Sequence, residues 1–294
     1  MMTYNHDKYI SKAIDSILAQ KVNFSYNIVI GDDCSEDNTQ SIILSYSKIH
    51  NGKFKLLFHK ENIGAGKNHI SVMEACEGKY IAMLEGDDYW TDPLKLQKQV
   101  DFFEEHKYCN YVFTKKKRLK LDNKIYSEPD LFLPKVLTLS QLLKTKIFPF
   151  TGTVMFKSEA LPNKYPSFFE TAFNGDWVLM FLINQNSKIG FINEETAVYR
   201  ENVGIIKTTN KIKQLKNGLK TAKSLDKYTN YKYHYYFKKR YYNYEKLSRE
   251  YFLQRKLFMS IFYFFKRVVN SLLNKEKHSL RNSLNFLKHT LKRN

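Results

Sequence analysis

Along the first 206 residues the apolar positions change period again and again. Ile10, Ala13, Ile14, Ile17 and Leu18 recur at helical spacing and predict an amphipathic helix over 7–20. Tyr26-Asn27-Ile28-Val29-Ile30 is a β-branched block that stops at Gly31-Asp32-Asp33, the pattern of a strand and its turn. Next come a helix over Thr39 to Ile49, capped from the Ser35/Asp37 region, and a strand over Phe54 to Phe58. A turn at Asn62 to Gly66 leads into a helix over Lys67 to Cys76. The apolar run at 79–84 reads as a buried strand and ends in Glu85-Gly86-Asp87-Asp88. Residues 93–106 predict a helix with Pro93 in its first turn. Further strands are expected at Tyr111 to Thr114 and Thr151 to Phe156, and a helix at Asp176 to Gln185. The stretch from Lys115 to Pro134 reads as irregular. Phe191-Ile192 and Thr196 to Tyr199 close this half.

Strands alternating with helices predict an α/β fold: a doubly wound, mostly parallel, Rossmann-like sheet. A central first strand should precede the first helix, but only Met1-Met2-Thr3-Tyr4 are available for it. The first strand is therefore expected to be truncated, with ladder groups exposed on its neighbours.

Charge divides the chain. Residues 207–294 hold 23 Lys and Arg against 4 Asp and Glu, whereas residues 1–206 hold 25 of each. The whole net charge of +19 thus lies in the tail. We place a domain boundary at Gly204-Ile205-Ile206-Lys207. The tail reads as basic helices. In Leu253 to Leu273, Leu257, Ile261, Phe264, Phe265, Val268 and Leu272 share one face, with Lys256, Lys266 and Arg267 near its edges. That is the pattern of a helix lying in a membrane interface, and the clustered cations add attraction to anionic lipid. Packing of the same face on the first domain is the alternative. No nucleic-acid motif accompanies the basic and aromatic residues, so no nucleic acid is expected. Cys34, Cys76 and Cys109 make neither a zinc pattern nor a disulfide framework. With no apolar N-terminal stretch and no run of roughly 20 apolar residues, a cytosolic protein is expected.

The carboxylates carry the candidate chemistry. Charges cannot stay buried unpaired, so Asp87 and Asp88 should emerge at the C-terminal end of their strand, where open α/β sheets bind ligands. Asp32-Asp33 should share that edge. Hard oxygen ligands beside a phosphate suit Mg²⁺ or Mn²⁺. Lys67, after the Gly64 and Gly66 turn, can reach a phosphate as a point charge. Each residue also has a plainer reading. Asp33 can close a turn, Asp176 can cap its helix, Lys67 can be a solvated helix start, and Arg200 can pair with Glu195 or Glu201.

The motifs Thr3-Tyr4-Asn5-His6-Asp7-Lys8-Tyr9-Ile10, Gly31-Asp32-Asp33-Cys34-Ser35-Glu36-Asp37-Asn38-Thr39 and Leu84-Glu85-Gly86-Asp87-Asp88-Tyr89-Trp90-Thr91-Asp92-Pro93 resemble family 2 glycosyltransferases of the GT-A fold. Asn174-Gly175-Asp176-Trp177 and Ala197-Val198-Tyr199-Arg200 follow in the same order. The resemblance covers residues 1–206 and is of the bacterial surface-polysaccharide type. It implies a nucleotide-sugar half over 1–90 and an acceptor half over 91–206. It implies donor binding by Thr3, Tyr4, Asp33, Lys67, Asp87 and Arg200, with Tyr4 stacked on a base read by Asp33. It implies a divalent metal, Mn²⁺ or Mg²⁺, at Asp88 and a general base at Asp176. Two departures stand out. Asn202 occupies a position where close members often carry His, and the Gln-x-x-Arg-Trp signature of processive synthases is absent.

The expected function is inverting transfer of a sugar, from a UDP-sugar type of donor, to a glycan or lipid-linked glycan. The expected place is the inner face of the cell membrane, with the protein bound peripherally. Two rivals remain at this point: a truncated, inactive homologue serving as a membrane-associated assembly or binding protein, and a nucleotidyltransferase. The second lacks the Gly-rich basic phosphate loop it would need near its N-terminus.

Overall fold

A computed structural model describes residues 1–145, 147–172, 174–201, 203–204, 209–238, 243–253 and 257–273. Asn202 and Lys256, both singled out above, lie outside the described residues, as do the side chains of Leu257 and Leu272. The chain divides into two compact units, Met1–Thr208 and Thr209–Asn294.

In the first unit the apolar periodicities become buried faces. Helix α1 (Ile10–Leu18) buries Ile10, Ala13, Ile14 and Ile17, the positions that recur at helical spacing. Strands β1 (Met2–Thr3), β2 (Ile28–Asp32) and β3 (Phe54–Phe58) pair in parallel in the order β1-β2-β3. Helices α2 (Thr39–Ile49) and α3 (Ala65–Glu74) alternate with them. The amide of Thr39 donates to the Asp37 carboxylate at 2.9 Å, so Asp37 closes the start of α2 as expected of that region.

The second sheet has the order β4 (Tyr80–Ala82), β9 (Val154–Lys157), β6 (Cys109–Leu119), β10 (Lys188–Arg200), β5 (Tyr89–Trp90). Two further strands, β7 (Ile125–Ser127) and β8 (Val136–Thr138), pair with β6 and β10. The first and second sheets meet where Met2 bridges Glu85, just past β4: the amide of Gly86 donates to the Met2 carbonyl at 2.9 Å. Helix α4 (Lys95–Glu105) covers the join, and Leu96, Phe102 and Phe103 enter the same core as Ile14, Ile30, Leu84 and Trp90.

Two expectations need correction. The parallel ladder holds for β1-β2-β3 and for β6 with β10, but β9 runs against both β4 and β6, and β5 against β10. The second sheet is therefore mixed. Secondly, β6 continues through Lys115 to Leu119, a stretch read above as irregular. Its cations are carried by acidic partners: Lys115 by Asp130, Lys116 by Glu128, Lys117 by Glu195 and Arg118 by Glu201. The two apolar pieces at 191–192 and 196–199 are one strand with register shifts between Ile192 and Ala197.

The second unit contains helices Lys211–Tyr228, His234–Lys238, Asn243–Leu253 and Leu257–Leu273. Ile212, Leu215, Leu219, Tyr244, Leu247 and Tyr251 form its core. In the last of these helices Phe264 and Arg267 are buried, against the expectation that Phe264 joins an open face and Arg267 edges it. The exposed stripe is instead Phe258, Ile261, Phe262, Phe265 and Val269. No described helix is long and apolar enough to cross a membrane.

Candidate active site

The strand ends carry the acids. β4 stops before Glu85, and Glu85, Asp87 and Asp88 each bring a carboxylate oxygen within 4.8 Å of the others. Asp88 accepts from the Arg200 amide at 2.7 Å on Oδ1, while its Oδ2 is buried with no partner. Asp87 Oδ1 is likewise buried and unpartnered, and its Oδ2 lies 3.8 Å from His6 Nε2. Burial and then the charges of Asp87 and Asp176 push the Glu85 carboxyl up to about 8. Burial, Asp87 and Glu85 raise Asp88 well above the usual carboxylate range. Burial also lowers His6, outweighing the pull of the nearby acids, so His6 does not neutralise the cluster.

Crowded carboxylates with unsatisfied buried oxygens are destabilising by themselves. A divalent cation relieves both problems, and three hard oxygens are the donor set that Mg²⁺ or Mn²⁺ takes. The residues therefore fit such an ion. Sequence reading gave Asp88 as the ligand and missed Glu85, although Glu85 stands in the same motif.

A cavity of about 270 Å³ opens over this cluster. Glu85 and Asp87 line it from the strand end, and Asp176 faces it from α5 (Gly175–Asn184). The Asp176 carboxylate also accepts from the Trp177 amide at 2.9 Å. A Cβ on Gly175 would lie 2.9 Å from His69 Nδ1, so a glycine lets the turn before Asp176 approach α3 closely. Thr151 hydrogen-bonds Glu85, and Lys116 and Tyr199 line the far wall. His69 lines the cavity too; burial holds it neutral by lowering it to about 4. The chain closes over the acids at Gly204, which has φ +65° and where a Cβ would lie 2.7 Å from Asp87 Oδ2.

The remaining candidates are not in this cavity's lining, although Met2 beside Thr3, Gly66 beside Lys67 and Tyr199 beside Arg200 are. Thr3 is buried, its Oγ1 lies 3.1 Å from His6 Nδ1, and its carbonyl accepts from the Asp33 amide at 3.0 Å. Tyr4 is 40% exposed, open to stacking. Asp33 accepts from the amides of Ile63 at 2.7 Å and Gly64 at 3.0 Å, so it closes the turn into α3. Lys67 is exposed on the first turn of that helix. The Arg200 guanidinium sits 5.0 Å from the ring centres of both Tyr9 and Tyr89, and Arg118 rather than Arg200 pairs with Glu201.

The family model for glycosyl transferase family 2 matches residues 1–162, more than half of the chain. The chain belongs to that family. An uncharacterized protein of Mycobacterium bovis is 33% identical over 200 residues, which are 68% of this chain and 57% of that protein. The putative teichuronic acid biosynthesis glycosyltransferase TuaG of Bacillus subtilis is 33% identical over 147 residues, 49% of this chain and 56% of its own. The chain thus spans little more than half the length of these relatives. Among solved structures, Staphylococcus aureus TarS 1–349 in complex with UDP-GlcNAc superposes with a TM-score of 0.57 at 15% identity, covering 98% of this chain and 79% of that 1–349 chain. That likeness shows the fold of this family 2 chain, the mixed α/β GT-A fold.

Proposed function

We propose that this family 2 chain is an inverting glycosyltransferase that uses a nucleotide-sugar donor of the UDP type. The observation that carries this reading is the meeting of Glu85 and Asp87 with Asp176 in one cavity at the strand ends. Glu85, Asp87 and Asp88 would hold the divalent ion, whose chemistry is to offset negative charge on a diphosphate. Asp176 stands across the cavity to take the proton of an acceptor hydroxyl. The acceptor oxygen forms its bond to the anomeric carbon as the bond from that carbon to the diphosphate breaks. The nucleoside diphosphate leaves, and the configuration inverts. Tyr4 and Asp33 would hold the base and Lys67 a phosphate, while Arg200, stacked between two tyrosines, fixes its own amide against Asp88. Residues 1–90 would form the donor half and 91–206 the acceptor half.

The fold likeness to the UDP-GlcNAc complex of TarS supports the donor class. The likeness to TuaG, named as a putative teichuronic acid biosynthesis glycosyltransferase, supports a glycan or lipid-linked glycan acceptor. The exposed Phe258, Ile261, Phe262, Phe265 and Val269 stripe, in a unit that carries nearly all of the chain's charge excess, supports docking on the inner face of an anionic membrane. Calorimetry of UDP with and without Mn²⁺ tests the donor site. Metal-dependent binding that Asp88→Ala abolishes is expected, and equal binding by the variant would remove the metal assignment. Flotation with anionic vesicles tests the tail: Phe262→Glu with Phe265→Glu should leave the protein at the bottom of the gradient. Equal flotation of variant and wild type would remove the membrane reading.

A further inference from the structure

The first helix of the second unit, Lys211–Tyr228, carries its charge in a line. Lys213, Lys216, Lys220, Lys223 and Lys227 are all exposed and recur at alternating intervals of three and four residues. On a helix that spacing keeps them on one face, in a single row about 21 Å long with steps of roughly 4.5–6 Å. The apolar face of the same helix enters the core of the unit through Ile212, Leu215 and Leu219. The helix's one acid, Asp226, is buried with its Oδ2 2.6 Å from His234 Nδ1, so it does not join the row.

Like charges at these intervals repel and destabilise a bare helix. The fold nevertheless holds the row in place. Lys216 Nζ lies 5.4 Å from the ring centre of Tyr251, and Lys223 Nζ 5.2 Å from that of Tyr244. Both tyrosines stand on helix Asn243–Leu253, which runs antiparallel to the lysine helix so that lysine meets tyrosine twice, two turns apart. Tyr263, from helix Leu257–Leu273, stacks on both rings, at 5.4 Å on Tyr251 and 6.2 Å on Tyr244. Lys216 also donates to the hydroxyls of Tyr251 and Tyr263. Aromatic faces and hydroxyls thus fix ammonium groups in the middle of the row before any ligand arrives, which lowers the entropy lost on binding.

The shape of the row separates the polyanions that would neutralise it. A helix that lies on a bilayer sets its lysines beside an exposed apolar face, and here that face is in the core. A single nucleic-acid strand needs exposed aromatic platforms for its bases, and Tyr244 and Tyr251 are buried. A linear glycan with a carboxylate on every sugar needs only cations in file, at steps comparable to the length of one sugar residue. A phosphodiester-linked repeat spaces its charges more widely than the lysines.

We propose that this lysine row is a docking track for a linear polyanionic glycan of the polyuronate kind, one carboxylate per sugar. The choice of a glycan rests on the transferase reading above, whereas the electrostatic track does not. Ion pairs along the track hold the polymer by its charges and not by its reacting hydroxyl.

Fluorescence anisotropy of the 294-residue chain with end-labelled oligogalacturonate, read over a salt series with EDTA and without UDP, tests the track. Lys216→Gln with Lys220→Gln and Lys223→Gln removes the middle of the row. Lys232→Gln with Lys246→Gln and Arg249→Gln removes the same charge from exposed positions elsewhere in the unit. The row variant should bind about tenfold or more weakly than wild type, with a log–log salt slope shallower by about 2. The second variant should stay within about twofold of wild type, because charges off the track are screened. Arginine at the same three row positions should restore binding. No binding by wild type, or equal loss in both glutamine variants, would overturn the proposal. So would tighter binding of a DNA oligonucleotide or a glycerol phosphate oligomer of equal charge. Loss of anionic-vesicle flotation by the row variant, with its oligogalacturonate binding intact, would make the row a lipid contact and overturn the proposal too. The donor site and Asp176 take no part in this assay, so failure of the transfer reading leaves its result unchanged.

Discussion

Lys95 provides a test of how the floor of the site is held. Its side chain is fully buried on α4, its Nζ donates to Gln99 Oε1 at 2.6 Å, and it lies 4.4 Å from the Trp90 ring centre. Gln99 in turn donates to the Thr153 carbonyl, and Trp90 Nε1 to the Gly152 carbonyl. This network fixes the turn whose Thr151 bonds Glu85. Burial lowers the Lys95 ammonium from 10.5 to about 7. Between those values the unfolded chain binds a proton that the native state does not, so stability rises with pH. The rise is about 1.4 kcal/mol per pH unit, and across the window it amounts to about 5 kcal/mol. Lys95→Met removes the titrating group and leaves Gln99 Oε1 without its donor, a cost of about 1–3 kcal/mol. Urea unfolding at pH 8, 9 and 10 measures both proteins. Taking the difference cancels the cysteines and tyrosines that titrate in the same range. The wild-type slope should exceed that of Lys95→Met by about 1 kcal/mol per pH unit. Parallel slopes would refute the burial argument.

Three further outcomes follow from the same geometry. Glu85 is raised to about 8 and Asp88 is raised as well, so ions and protons compete for the cluster. Mn²⁺ should therefore raise Tm more at pH 8.5 than at pH 6.5, and Glu85→Gln should reduce that difference. Gly204→Ala places a Cβ against Asp87 Oδ2 at a left-handed φ, costing about 1–2 kcal/mol locally. It should weaken metal-dependent UDP binding while circular dichroism stays unchanged. Arg200→Ala removes the stacking on Tyr9 and Tyr89, which should lower stability by about 1 kcal/mol in chemical unfolding.

Much of the first unit was legible because its chemistry is punctuated by apolar runs. The run at 79–84 ends in acids, which put Asp87 and Asp88 at the end of their strand; the structure has them there, but buried rather than emergent, because the fold gathers Glu85 and the chain near Arg200 and Gly204 around them. The helical face of Ile10, Ala13, Ile14 and Ile17 was equally plain. What stayed hidden depends on partners distant in sequence. β6 looks irregular after Thr114 because its charged side chains are matched by Asp130, Glu128, Glu195 and Glu201. The antiparallel course of β9 shows only in its pairing with β4 and β6, strands distant in sequence. Glu85 was readable as a third oxygen donor from its spacing to Asp87. His69, Thr151 and Lys116 were not, because only the folded chain brings them to the cavity.

The central claim is that Asp176 and the Glu85-Asp87-Asp88 cluster serve one transfer reaction from opposite sides of one cavity. Single-turnover transfer from a UDP-sugar by Asp176→Asn, with donor binding measured on the same preparation, tests it most directly. The account expects donor affinity within about twofold of wild type and a transfer rate lower by roughly 10²–10⁴. Transfer at the wild-type rate, with donor still bound, would contradict it.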